Sequence, residues 1–262
     1  MKVSFGRLAA LLMVCGAAAA CRPDIQPVQG TLEPGTPAAE VPAAVRETLE
    51  TAPLDDRFEY LLNDGENGLA VLSLLRCSEG QSAEGYGVLV VCGDTRTELP
   101  GIRHGNMPQA RFDAAKGELW LTGADAEGTG LRVERPYLLR FDPAGHASVA
   151  ATIDPYAMQE ELRKHLSFSV KNKNITFYAD GAPLVTSTVT EDGMGPLFDQ
   201  PVWIGEQIRY ELDGGLTVLV TPGLSFQTGK VLLYDDTPTL AATVALTPEG
   251  FTLSGFRIYP EL

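Results

Sequence analysis

The sequence holds no His-Glu-x-x-His, no Gly-x-Ser-x-Gly and no glycine-rich phosphate loop. The first absence excludes the common helical zinc-protease site, the second the nucleophile elbow of α/β-hydrolases, and the third the usual nucleotide cradles. The histidines His104, His146 and His165 are too far apart for a local metal-ligand spacing. Cations are scarce as well: 20 Lys plus Arg stand against 34 Asp plus Glu, for a net charge of −14. Such a surface repels phosphates and anionic lipid heads, so no nucleic-acid partner and no charge-driven membrane binding is expected. The acids are scattered rather than run together, as on a solvated face. No apolar run reaches the roughly 20 residues that span a bilayer. No fixed-period motif recurs, so a true repeat propeller is not expected.

What is present begins with an address. Lys2 and Arg7 precede an uncharged, mostly apolar run from Leu8 to Ala20, and small residues lead into Cys21. That order is basic region, apolar region and small-residue cleavage site, which predicts a secretory signal over residues 1–20. Ala18-Ala19-Ala20-Cys21 resembles a bacterial lipobox, with Ala18 where the family pattern prefers Leu. The resemblance implies a lipoprotein with Cys21 acylated, exported to the cell envelope and held at the outer membrane or cell surface. Ordinary cleavage after Ala20 is the alternative. Acyl chains bring ~0.8 kcal/mol per buried methylene, so a lipidated Cys21 anchors firmly.

Residues 21–54 read as a tether. Pro23, Pro27, Pro34, Pro37, Pro42 and Pro53 punctuate it, and proline without an amide donor keeps a chain extended and solvated. A short helix from about Pro42 to Glu50 would place Val41, Val45 and Leu49 on one side. Beyond it, residues 55–262 suffice for one sizeable core or two smaller ones, the latter divided near 153–166.

From Arg57 onward, short apolar or alternating runs alternate with Gly, Asp, Asn and Pro. FEYLLN, LAVLSLLR, YGVLVVC, GELWLTG, YLLRFD, NITFYA and LTVLVT have strand length and β-branched or aromatic content. Turn residues at 115–117, 142–145, 179–181, 213–215 and 248–250 separate them. The pattern predicts a mainly β domain: an antiparallel sandwich, barrel or propeller-like arrangement. One amphipathic helix is inserted, from about Pro155 to His165. Asp154 caps it, Met158, Leu162 and Leu166 share a face, and Glu160 and Lys164 are spaced as a surface pair.

The candidate sites are few. With Cys21 lipidated, Cys77 and Cys92 remain as a pair in an oxidising compartment. A hairpin turning at Glu84-Gly85 would set them opposite each other as a disulfide; two buried free thiols, or a redox pair, which would want closer Cys-x-x-Cys spacing, are the alternatives. The loop Asn63-Asp64-Gly65-Glu66-Asn67-Gly68 is loosely similar to the Asp-Gly-rich loops of calcium-binding repeats in secreted bacterial proteins. The similarity implies calcium on Asp64, Glu66 and Asn67; the same residues fit a plain hairpin turn. Arg103, His104 and Asn106 form a polar loop that could line a pocket. Trp120, Trp203, Tyr86, Tyr178 and Tyr210 could build a stacking platform for sugar or peptide, or fill a β core. The paired acids at 55–56, 160–161 and 235–236 point to opposite faces when on a strand and do not make a glycosidase pair. No catalytic residue and no cofactor other than calcium is expected. The sequence reads as a membrane-tethered envelope domain that binds a protein, peptide or glycan without chemistry of its own. An envelope hydrolase with a loop-built site near His104 and a structural envelope component are the alternatives.

Overall fold

A computed structural model of the chain describes residues 57–76, 85–103, 109–128, 131–189, 197–226, 229–233 and 237–260. The signal, the tether, Cys21, Cys77, His104 and Asn106 lie outside the described residues.

Two four-stranded meanders come first. Strands β1 (Arg57–Asp64), β2 (Leu69–Arg76), β3 (Gly85–Cys92) and β4 (Thr95–Pro100) pair in chain order. Next, β5 (Ala110–Asp113), β6 (Glu118–Gly128), β7 (Leu131–Phe141) and β8 (Ala147–Thr152) do the same. Alternation decides which faces meet. Leu69 and Val71 of β2 and Val88 and Val90 of β3 pack with Leu119, Leu121, Leu139 and Ala147 in one buried cluster. Ala70, Leu72, Leu89 and Val91, on the other face, are buried too. Both faces of β2 and β3 are thus covered, which is why these strands read as continuous apolar runs.

The helix α1 (Pro155–His165) has the limits that the sequence predicts. Asp154 accepts hydrogen bonds from the amides of Tyr156 and Ala157 at 3.0 and 3.1 Å, satisfying two of the helix's unpaired donors. Met158 and Leu162 are buried completely. The expected Glu160–Lys164 pair is replaced by two others: Arg163 reaches Glu160 at 2.6 Å and Lys164 reaches Glu161 at 2.7 Å. Three-residue spacing serves as well as four on a helix surface. Replacing Asp154 by Ala is expected to cost about 1 kcal/mol, and Asp154→Asn markedly less, because asparagine caps as well as aspartate. Urea unfolding of the two variants checks this.

Strands β9 (Leu166–Lys171), β10 (Asn174–Ala179) and β11 (Ala182–Thr188) form a separate three-stranded sheet. Another consists of β12 (Leu197–Trp203), β15 (Gly223–Phe226) and β16 (Gly229–Leu233). Strands β13 (Gln207–Glu211), β14 (Thr217–Val220), β17 (Thr239–Thr247) and β18 (Gly250–Tyr259) extend the sheet of β5–β7 to an order of β18-β17-β14-β13-β7-β6-β5. The second buried cluster gathers α1, β10, β13, β14 and β17 around Met158, Leu162, Ile175, Ile208, Val218 and Leu240. Among the described residues no sheet closes into a barrel.

The strand that joins the two clusters is β7. One edge pairs with β6 along its length. The other is shared: β13 runs parallel to it at Arg132 and Val133, and β8 antiparallel from Tyr137 to Phe141. Pro136 falls in the gap. Its partner across β6, Thr122, donates its amide to Gln109 and so away from β7. By antiparallel alternation the Pro136 nitrogen, which has no hydrogen to give, faces the unpaired stretch of edge. The sequence pattern begins this strand after the proline, at Tyr137; the structure extends it back to Leu131.

Candidate functional site

The turns of the two meanders meet at one end. Gly93 donates its amide to the Gly68 carbonyl at 2.8 Å, joining the β1–β2 turn to the β3–β4 turn. Thr95 Oγ1 donates to the Ala144 carbonyl at 2.6 Å, and the Ala147 amide donates to Thr97 Oγ1 at 2.9 Å. Gly145, at φ +88°, lies so close to this corner that a Cβ there would stand 3.3 Å from the Cys92 carbonyl.

Among these turns lies an open cleft of about 360 Å³. Its apolar floor is Leu69, Phe112 and Phe141, the two rings meeting edge to face with centroids 6.1 Å apart. Lys116 and Gly117, from the β5–β6 turn, form one wall, and Arg140, at the end of β7, another. Asn67 and the half-buried Cys92 complete it. Among the described residues the cleft walls carry two cations, an amide and a thiol, and no carboxylate. The partners of those cations are not among the lining residues: Lys116 lies 3.2 Å from Asp113, and Arg140 lies 2.7 Å from Glu118. Lys116 holds the Asp113 carboxyl below its ordinary range.

Two residues singled out in the sequence, Asn67 and Cys92, thus come together here, Asn67 within the plain hairpin turn that its loop also fits. Asp64 Oδ1 accepts the Asn67 amide at 3.2 Å and Oδ2 accepts Asn67 Nδ2 at 2.8 Å. Both carboxylate oxygens are committed to closing a hairpin turn, while Glu66 is exposed. Among the described residues no group of three His, Cys, Asp or Glu is placed to hold a metal.

The turn expected at Glu84-Gly85, on which the expected Cys77–Cys92 bridge depends, is corrected, and Cys77 itself lies outside the described residues. In the β2–β3 hairpin Arg76 pairs with Gly85 and Leu69 with Cys92, so the turn is centred four residues earlier than Glu84-Gly85. Cys92 therefore sits at the far end of the hairpin from Arg76, roughly 23 Å along the strands at 3.3 Å per residue. Cys92 is a free thiol.

The Arg103 backbone is fixed to β6, its carbonyl accepting the Ala124 amide at 2.8 Å. That position is not part of the cleft, and the two residues expected beside it, His104 and Asn106, are outside the described residues. The other two histidines hold local structure. His146 Nδ1 lies 3.2 Å from Asp142 within its own turn. His165 has Asp180 2.6 Å from Nδ1 and Glu161 3.4 Å from Nε2, with its ring 5.3 Å from that of Phe256, so it fastens the end of α1 to the β10–β11 turn.

Of the aromatic candidates, Tyr210 is buried and Trp120 packs against the larger cluster. Trp203 is different: it is 51% exposed, with the Arg163 guanidinium 5.9 Å from its ring centre. Tyr156, 73% exposed, shares the helix face of Gln159 and Arg163, whose side chains donate to the carbonyls of Gly205 and Ile204. Sequence reasoning missed Lys116, Arg140, Phe112 and Phe141. The turn at 115–117 and the run YLLRFD are both visible in the sequence, but nothing local says that their ends meet.

No protein-family model and no curated protein matches this chain. Among solved structures, it is similar to a xylan β-1,4-xylosidase from Bacillus Halodurans C-125, at 12% identity and a TM-score of 0.21. The similarity covers 78% of this chain and 42% of that one.

Proposed function

We propose that this chain is an envelope lipoprotein: exported by residues 1–20, anchored through a lipid on Cys21, and held off the membrane by residues 21–54. Its β domain binds a ligand rather than transforming one. The observation that carries the binding half is the cleft at the turn end of the meanders, where an apolar floor is rimmed by hydrogen-bond donors from separate turns. A floor for shape and a few donors for orientation are what small-molecule sites are made of. The exposed Trp203 and Tyr156 support a second contact surface, toward an envelope protein, peptide or glycan.

The anchoring half is tested by growing a bacterial expression host with labelled palmitate. Label is expected on the wild-type chain, in the membrane fraction, and is lost on Cys21→Ala. Recovery of the full-length, unprocessed chain in the soluble cytosolic fraction would defeat the proposal. The binding half is tested by whether a small ligand shields the Cys92 thiol from alkylation.

A further inference from the structure

We infer that the cleft beside Cys92 takes a small aromatic or otherwise planar anion, its carboxylate held between Lys116 and Arg140 and its apolar body laid on Phe112 and Phe141. The inference deepens the binding reading above and rests on it.

Three observations point the same way. The cleft volume, about 360 Å³, falls in the range of small-ligand sites and suits a molecule of one or two rings. Phe112 and Phe141, edge to face at 87°, both line the cleft and give an aromatic ligand ring surface to pack against. The third is charge. The chain carries 34 acids and 20 bases, yet among the described residues the cleft walls hold two bases and no acid. Lys116 is bound only loosely to Asp113, both side chains being well exposed at 68% and 36%, and a pair of that kind re-forms around a competing carboxylate at little cost. Arg140 is fixed by two hydrogen bonds from its Nε and Nη2 to one oxygen of Glu118. That grip leaves the remaining guanidinium hydrogens to donate elsewhere. A ligand carboxylate can therefore be added to both cations without displacing a buried partner. The Asn67 amide nitrogen is already given to Asp64, which leaves its carbonyl to accept from a donor on the ligand.

Cys92 supplies the readout. Purified full-length protein is alkylated with iodoacetamide, and the rate at Cys92 is followed by peptide mass spectrometry. The reaction is run with increasing 2-naphthoate or with its neutral isostere 2-naphthamide. Naphthoate is expected to protect Cys92, with naphthamide needing about tenfold more for the same protection, the value of one charge-assisted contact. A Lys116→Ala, Arg140→Ala double variant is expected to protect equally weakly with both. Equal protection of the wild-type protein by the two compounds would overturn the anion assignment while leaving the cleft as a ligand site. A double variant that keeps the naphthoate preference would overturn it in the same way. Protection by neither compound would remove the cleft reading and this inference together. The wild-type comparison requires no substitution to fold.

Discussion

Replacing Glu134 by Ala is expected to destabilise the domain by about 3 kcal/mol, the cost of breaking a buried ion pair from one side. The side chain is 4% exposed, on the strand that joins the two buried clusters. One carboxylate oxygen accepts the Arg132 guanidinium, with Nη2 at 2.6 Å and Nε at 3.0 Å. The other accepts the Tyr210 backbone amide at 2.9 Å, in the buried interior. That second bond explains the residue. After Ile208 the parallel ladder between β7 and β13 stops, and the amide of Tyr210 would be left without an acceptor; the Glu134 carboxylate takes the place of the missing strand carbonyl. Alanine leaves that buried donor unsatisfied, removes one of the groups that hold Arg132, and opens space in the buried interior. For a domain of this size the melting temperature should fall by about 6–12 °C. A conservative control separates charge from shape: Glu134→Gln keeps one acceptor, so it should cost less than alanine.

The same residue sets a pH dependence. Burial, which outweighs the Tyr210 amide and Arg132, holds the Glu134 carboxyl above its ordinary range. The folded chain therefore binds this proton more readily than the unfolded chain. Its contribution to stability decreases as the pH rises from the ordinary carboxylate range through the raised folded value, and returns on acidification. Urea melts across that window should show this slope in the wild type and lose it in both Glu134 variants. A slope unchanged in Glu134→Gln would mean that some other group titrates there.

What can be read from the residues depends on whether the signal is local. Helix α1 is legible because Asp154, Pro155 and the spacing of Met158 and Leu162 lie within a few residues of one another. The turns at 115–117, 142–145 and 179–181 are legible because glycine adopts positive φ there, as at Gly117, Gly145 and Gly181. Register is not. The polar stretch 77–84 offers several equivalent turn centres, and the apolar runs on either side are buried on both faces, so a slip leaves no polar residue misplaced to betray it. The expected turn at Glu84-Gly85 is misplaced for that reason. The start of β7 is hidden for a different one: Leu131 to Arg135 are polar in part and end at a proline, a combination that only the shared edge of β13 and β8 makes acceptable. The cleft is least legible of all. Asn67, Cys92, Lys116 and Arg140 come from four strand ends or turns, and no short-range pattern records that two meanders stack with those ends together.

Gly123→Ala is expected to cost about 2 kcal/mol, although alanine is otherwise welcome on a strand more often than glycine. Gly123 lies in β6, opposite Arg135, with no positive φ to demand glycine. The demand is one of space. A Cβ at this position would stand 2.8 Å from the Arg103 carbonyl oxygen, 3.1 Å from Tyr137 Cε2 and 3.2 Å from Ile102 Cγ2. The first of these is backbone and cannot swing aside as a side chain can. It is also committed, because the Arg103 carbonyl accepts the amide of Ala124, the next residue, at 2.8 Å. Relieving the clash means lifting the 101–103 segment off β6, which breaks that bond and loosens Ile102, 5% exposed and part of the smaller buried cluster. The energetic loss should therefore come with a local signature. Amide exchange at Ala124 is expected to accelerate far more than exchange at Leu119 or Leu121, which face the same cluster from the same strand but pair with β5 and β7. Uniform acceleration along β6 would indicate global destabilisation alone, and would show that the contact with Arg103 is not what makes glycine necessary.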